Sequence, residues 1–298
     1  MPSNFRRRAA RRRLRSADQL TVWISRLTDA DSGALDSLLQ RSEVANCFFL
    51  ARVAQVGVLR AQVWGAWANQ KGDPGRLVSA VMLAGNVVPA GSDAQGIAAL
   101  AEWLAGRQRT GSSVVGLARD VSPLWEGLGA SWGPVRECRW HQPLMVAGGP
   151  RSAAPDSRVR PATVADIEAL YPPTVAMFTE EVGVSPLVGS SEAAYRGRLA
   201  ALVRAGRVFL LTTDGEVVFK AEVAAATQQV CQVQGVWVRP DCRSQGLGSA
   251  AMAAVVDLAA ASVAPVVSLY VNEYNAAALG AYRRSGFTPV DEMASILF

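Results

Sequence analysis

Histidine and lysine are almost missing from this 298-residue chain: one histidine, His141, and two lysines, Lys71 and Lys220, stand against 28 arginines. With a single imidazole and four cysteines (Cys47, Cys138, Cys231, Cys242) that form no C-x-x-C pair, the sequence shows neither metal-ligand spacing nor a disulfide framework. No metal is expected. Long apolar runs are missing too: none reaches the roughly 18 residues of a membrane-crossing helix. The arginine-rich start leads into SADQLTVWISRLTDAD rather than an apolar signal core. These absences predict a soluble, cytoplasmic chain with no membrane partner.

What is present is apolar bulk. Half of the residues are hydrophobic, enough for two domains that each bury a core. The net charge of +5 misleads, because Arg6, Arg7, Arg8, Arg11, Arg12, Arg13 and Arg15 lie in one block and leave −2 on the rest. That block, within residues 1–19, is the one stretch suited to nucleic acid or an acidic surface. It carries no interleaved aromatics, so a solvated arm is expected there and no nucleic-acid partner elsewhere. Glycine, proline and small polar residues in AGGPRSAAPDS mark a linker at 147–157. On either side phrases recur: ADSGAL (30–35) and ADIEAL (165–170), then SWGPVRE (131–137) and GFTPVDE (286–292). Two pairs in one order indicate a duplicated domain, 20–146 and 158–298.

In the second half the pattern predicts a strand at 158–160, helices at 164–181 and 190–205, and strands RVFLLTTD, EVVFKAEVAAA and VCQVQGVWVRP. TDGE is a hairpin turn, since Asp-Gly accepts positive φ. RPDCRSQGLGSAAM (239–252) then enters an alanine-rich helix, followed by strand VVSLYV, helix NAAALGAYRRSG and closing strand MASILF. The fold class is α/β with a mixed sheet. Alternate glycines, Gly246 and Gly248, at a strand-to-helix junction bare successive N–H groups at the positive end of a helix, and Arg243 adds a full charge. This is a cradle for phosphate. GLGSAA also satisfies the dinucleotide fingerprint, but that motif follows the first strand of its domain, whereas here three strands precede it.

RSQGLG resembles the acetyl-CoA loop of the GNAT acyltransferase superfamily, Q/R-x-x-G-x-G/A, and VNEYNAAALGAYRRSGF (271–287) resembles that family's second signature. The resemblance covers 158–298, and the whole chain is similar to actinobacterial two-domain GNAT proteins. It implies tandem GNAT-like domains, the second with an intact acetyl-CoA site. Acetyl-CoA would then be the acetyl donor. Backbone groups of Val236, Trp237 and Val238 would pair with the pantetheine arm. Amides from Ser244, Gln245, Gly246, Leu247, Gly248 and Ser249 would hold the diphosphate, Asn275 would contact the cofactor, and Ala278 and Leu279 would pack beside it. Tyr282 stands where the family places a hydroxyl near the thioester sulfur.

The chemistry implied is attack by a neutral amine on the thioester. It needs an oxyanion donor, an acid for the thiolate and a base for the amine. Val238 N–H and Tyr282 fill the first two roles. For the third, family members place a glutamate on the strand eleven residues before the loop arginine, where this chain has Gln232. Glu222 and the pair Glu180 and Glu181 are the remaining acids, while Lys220 reads as a strand-edge lysine. The first half repeats the frame without the chemistry: GSDAQGIAALAEWLAG has neither arginine nor G-x-G, and Trp125 stands where Tyr282 does. The function expected is N-acetylation of an amine acceptor. The alternative is a non-catalytic acyl-CoA sensor with a basic arm. Oligomerisation is left open.

Overall fold

The computed structural model describes residues 21–69, 75–91, 93–188 and 191–298. The arginine block and Lys71 lie outside them. The first half runs β1 (Thr21–Arg26), α1 (Ser32–Leu39), α2 (Cys47–Val56), β2 (Val63–Asn69), β3 (Arg76–Leu83), β4 (Val87–Gly91), α3 (Ala94–Ala105), β5 (Ser113–Leu117), α4 (Ala118–Trp132) and β6 (Glu137–Ala147). The second runs β7 (Arg160–Pro161), α5 (Ile167–Val182), α6 (Glu192–Arg204), β8 (Val208–Thr213), β9 (Glu216–Ala226), β10 (Val230–Val238), α7 (Leu247–Ser262), β11 (Val266–Tyr270), α8 (Ala276–Arg284) and β12 (Phe287–Leu297). Element for element, one series repeats the other.

Two compact units result. The first comprises the described residues up to Trp140 with Met293–Phe298, and the second His141–Glu292. In the first, β1 to β5 lie side by side in chain order, antiparallel except for β4 and β5, and residues 293–297 of β12 add an antiparallel edge to β5. The second repeats this with β7 to β11, parallel only between β10 and β11, and residues 144–146 of β6 add the edge to β11. MASILF therefore closes the first unit rather than the second. Each unit receives its last strand from the other half of the sequence.

The repeated Ala-Asp pair has a local cause. Thr28 with Asp31, and Thr163 with Asp166, form the same capping box ahead of α1 and α5, each carboxylate taking the amide and hydroxyl of its threonine. The proposed linker is not free. Gly148 and Gly149 donate to Gly286 O, Ser152 and Ala153 to Arg284 O, and Asp156 to Ala250 O, so the small residues let the chain run close along the second unit.

The second unit is a sheet between two helical layers. α7 and α8 pack on one face with Phe209, Phe219, Val233 and Leu269, while α5 and α6 cover Leu210 and Val208 on the other. The alanines of α7 leave its backbone close to the sheet, and its buried Met252, Val255 and Val256 each contribute about 1.5–3 kcal/mol of apolar burial. Strand alternation places Lys220 and Glu222 on the α5 face. β9 is paired on both sides, so Lys220 is a fully buried central residue rather than an edge lysine.

Candidate active site

The parallel strands β10 and β11 pair only from Val230↔Val266 to Gln232↔Ser268. Beyond that point β11 continues against β6, and β10 bends away through a bulge at Gly235, whose φ is +59°. Arg239 N–H donates to Val218 O, toward β9. Backbone groups alternate along a strand, so those of Trp237 also face β9, while those of Val236 and Val238 face the opening. Of the three residues expected to meet the pantetheine, Val236 and Val238 thus turn their backbone groups to the opening and Trp237 turns its own to β9.

The loop after β10 supplies the amides. Gly246 caps α7 at φ +84°, and Ser244 is also left-handed, at +60°. Among the described residues, the amides of Ser244, Gln245, Gly246, Leu247 and Gly248 have no acceptor. Five consecutive donors converge at a helix N-terminus, which suits an anion carrying several oxygens. Ser249 does not join them: its N–H is spent on Gly246 O, and its hydroxyl and carbonyl take Arg284 Nε and Ser285 Oγ. A Cβ on Gly248 would stand 3.3 Å from Val238 Cγ2, so loop and strand are nearly in contact. Beside the loop lies a depression of about 650 Å³ lined by Arg158, Cys242, Gly246, Leu247 and Arg284 among others.

The acidic candidates separate. Glu180 bridges Trp237 Nε1 (3.3 Å) and Arg243 (2.7 Å), which ties it to the loop after β10. Glu222 is buried, 2.5 Å from Lys220 Nζ and 3.7 Å from the half-exposed Arg198. Burial pulls the Lys220 ammonium below its ordinary range, against the pull of Glu222. Glu181 lies close enough for its charge to raise both Lys220 and Tyr282. Gly235 explains itself here: a Cβ would meet Met177 Cε at 3.1 Å and come within 3.4 Å of Glu222 Cδ and Lys220 Nζ.

Tyr282 projects from α8 against Phe287, with ring centroids 5.9 Å apart. Burial, then Glu181, pushes its phenol well above the ordinary tyrosine value. Its hydroxyl makes no hydrogen bond among the described residues and is not sealed from solvent. Asn275 caps α8, its side-chain oxygen accepting from Ala278 N at 3.1 Å, and its amide nitrogen has no partner among the described residues. Leu279 is buried and Ala278 packs at the same core. Gln232 is also buried, and its Nε2 has no partner among the described residues.

One contributor was missed from the sequence. Gln142, on β6, donates to buried Asn272 at 2.8 Å, while His141 O and Pro143 O take the amides of Glu273 and Val271. The first half's last strand thus holds the turn that leads to Asn275. Nothing local in HQPL signals that role, which depends on which sheet the strand joins.

The corresponding place in the first unit is plugged. Asp93 caps α3, its carboxylate taking Gln95 N (2.7 Å) and Gly96 N (3.3 Å), and Asp120 takes Gly91 N at the end of β4. A carboxylate of the chain's own occupies the helix start where an outside anion would bind. Trp125, the residue that the sequence pattern sets against Tyr282, packs on Phe298.

Residues 176–287 match the acetyltransferase (GNAT) family, and residues 61–170 match a domain of unknown function (DUF4081). No curated protein matches the chain. Among solved structures it is similar to a GCN5-related N-acetyltransferase from Sphaerobacter thermophilus, 16% identical over 92% of this chain and 94% of that one, with a TM-score of 0.60. A GNAT-family acetyltransferase from Colwellia psychrerythraea is 13% identical over 88% and 96%, TM-score 0.53. A tandem GNAT protein from the clavulanic acid biosynthesis pathway is 13% identical over 92% and 97%, TM-score 0.50. These likenesses are of fold, and they span most of both units.

Proposed function

Because residues 176–287 match the GNAT acetyltransferase family, we propose that this chain is an acetyl-CoA-dependent N-acetyltransferase acting on a primary amine. The observation that carries the reading is the row of five acceptorless amides, Ser244 to Gly248, beside a strand whose pairing has opened. Those amides fit a diphosphate. Val236 offers its backbone to the pantetheine arm, and Val238 N–H faces the opening where a thioester carbonyl would gather negative charge. One such donor is worth about 3 kcal/mol in a rate.

Tyr282, kept protonated by burial, donates to the departing sulfur. A thiol of pKa about 8.5 leaves fairly well unaided, so this help is auxiliary. Glu181 and Glu222 are the acids assigned to receive the amine's proton, directly or through water, although Glu222 is ion-paired with Lys220 just as Glu180 is with Arg243. A second reading, an acyl-CoA sensor without turnover, is favoured by Gln232, an amide where a strand carboxylate would serve as base.

The test is thiol release from acetyl-CoA in the presence of a panel of amines and peptides. Release that depends on one class of amine, with the acetylated product found by mass spectrometry, supports the enzyme. Tight acetyl-CoA binding with no release for any acceptor supports the sensor.

A further inference from the structure

Glu180, half-exposed near the end of α5, ties that helix to the loop after β10. We propose that Glu180 is a positioning residue for acetyl-CoA, acting through Arg243. This inference rests on the acetyl-CoA reading above.

Three contacts define the arrangement. Arg243 Nε donates to Val238 O at 2.9 Å, the carbonyl that faces the opened strand gap. One terminal nitrogen of Arg243 donates to Glu180 Oε2 at 2.7 Å, and the other has no partner among the described residues. Glu180 Oε1 takes the indole N–H of Trp237. The guanidinium is therefore held along two of its edges, by the strand that would line the pantetheine and by α5, with its third nitrogen uncommitted. A planar fork fixed in this way presents its remaining donor in one direction, which favours an oxygen anion over a diffuse charge.

The same contact reaches the acceptor side. Met177, Glu180 and Glu181 are spaced i, i+3 and i+4, so they share one face of α5. Met177 lies over Gly235, and the charge of Glu181 is felt at Tyr282 and Lys220. α5 ends directly afterwards, at Gly183 in the left-handed region. Docking Glu180 on Arg243 and Trp237 thus sets the last turn of α5, and with it Glu181, against β10.

The sign of one substitution separates this role from plain electrostatics. Glu180 is a negative charge next to a loop that would bind a diphosphate. If it acted only through its field, Glu180→Gln would tighten acetyl-CoA binding. As a positioning residue, its loss releases the guanidinium. Glu180→Gln is then expected to raise the Kd for acetyl-CoA about fivefold, Arg243→Gln about tenfold, and the double variant no more than Arg243→Gln alone. Glu180→Asp keeps the charge but shortens the reach, and should also weaken binding.

The experiment is calorimetric titration of acetyl-CoA into the full chain and the four variants, each checked by its thermal melt. A Kd for Glu180→Gln equal to or below the wild-type value, or an additive double variant near fiftyfold, overturns the inference. If Glu180→Gln does not fold, unchanged affinity in Glu180→Asp overturns it equally. Absence of binding by the wild type would instead remove the acetyl-CoA reading itself.

Discussion

Tyr282 shows how burial sets a residue's chemistry. Its phenol is raised by desolvation first and by the charge of Glu181 second. The acid form, which is the donor, therefore persists to higher pH than for an exposed tyrosine. Tyr282→Phe should lower kcat by roughly 10² while leaving the KM for acetyl-CoA nearly unchanged, across about pH 6 to 9. Wild-type kcat in that variant would remove the tyrosine from the reaction. Gly248 is the other single-residue test. A valine there must displace Val238, 3.3 Å from the position of its Cβ, and close the approach to the loop amides. Acetyl-CoA affinity should fall at least tenfold, or about 1.4 kcal/mol, and unchanged affinity in a folded variant would reduce RSQGLG to an ordinary turn. Both residues were legible in the sequence because the loop and the last helix are short local patterns. Glu180 was singled out there only as a candidate acid, and its contact with Arg243 was not legible, since the two are 63 residues apart and only the docking of α5 brings them together. Lys220 was misread for a similar reason: a lone charge in an apolar strand suggests an edge, and only pairing on both sides of β9 buries it.

Among the elements, the junction between β7 and α5 stores a pH dependence. Arg160 grips both oxygens of Asp166 (2.7 and 2.8 Å), and the Thr163 amide and hydroxyl add two more bonds. Against the opposing effect of burial, these hold the carboxyl well below the usual carboxylate range. A folded pKa below the unfolded value of about 3.9 means stabilisation that is present at neutral pH and lost as pH falls. The gap in Tm between wild type and Asp166→Asn should be widest near pH 7 and shrink below about pH 4, where the unfolded carboxyl takes up its proton. A gap independent of pH would contradict this. The capping box was visible in advance only as a repeated Ala-Asp pair, whose threonines gave it meaning once the helix starts were known. The bulge at Gly235 was not visible, because a single glycine in a strand does not say which residues it must clear.

Across the whole molecule, the two halves trade edge strands. Residues 144–146 complete the second unit and 293–297 the first. Composition marked 147–157 as a boundary, whereas the compact units divide after Trp140 and after Glu292, because hydrophobic patterning carries no information on which sheet a closing strand joins. The consequence is that neither half is self-sufficient. A fragment of 158–298 leaves β11 with an unpaired edge and frees the turn before α8 from Gln142 and Pro143. It should be insoluble or unfolded, while the full chain loses fluorescence and helical signal in one urea transition. Seven of the eight tryptophans lie outside the second unit, all but Trp237, so fluorescence reports the first unit and ligand binding reports the second. Separate midpoints for fluorescence and acetyl-CoA binding would show that the exchange does not couple them.

Of the two like units, one leaves the amides at its helix start without an acceptor and the other caps its own with Asp93. Calorimetric titration of acetyl-CoA into the full chain reads this difference as a stoichiometry. One site per chain is expected, abolished or weakened at least tenfold by Gly248→Val and untouched by Trp125→Phe. Two sites per chain, or a single site that survives Gly248→Val at full affinity, would contradict it.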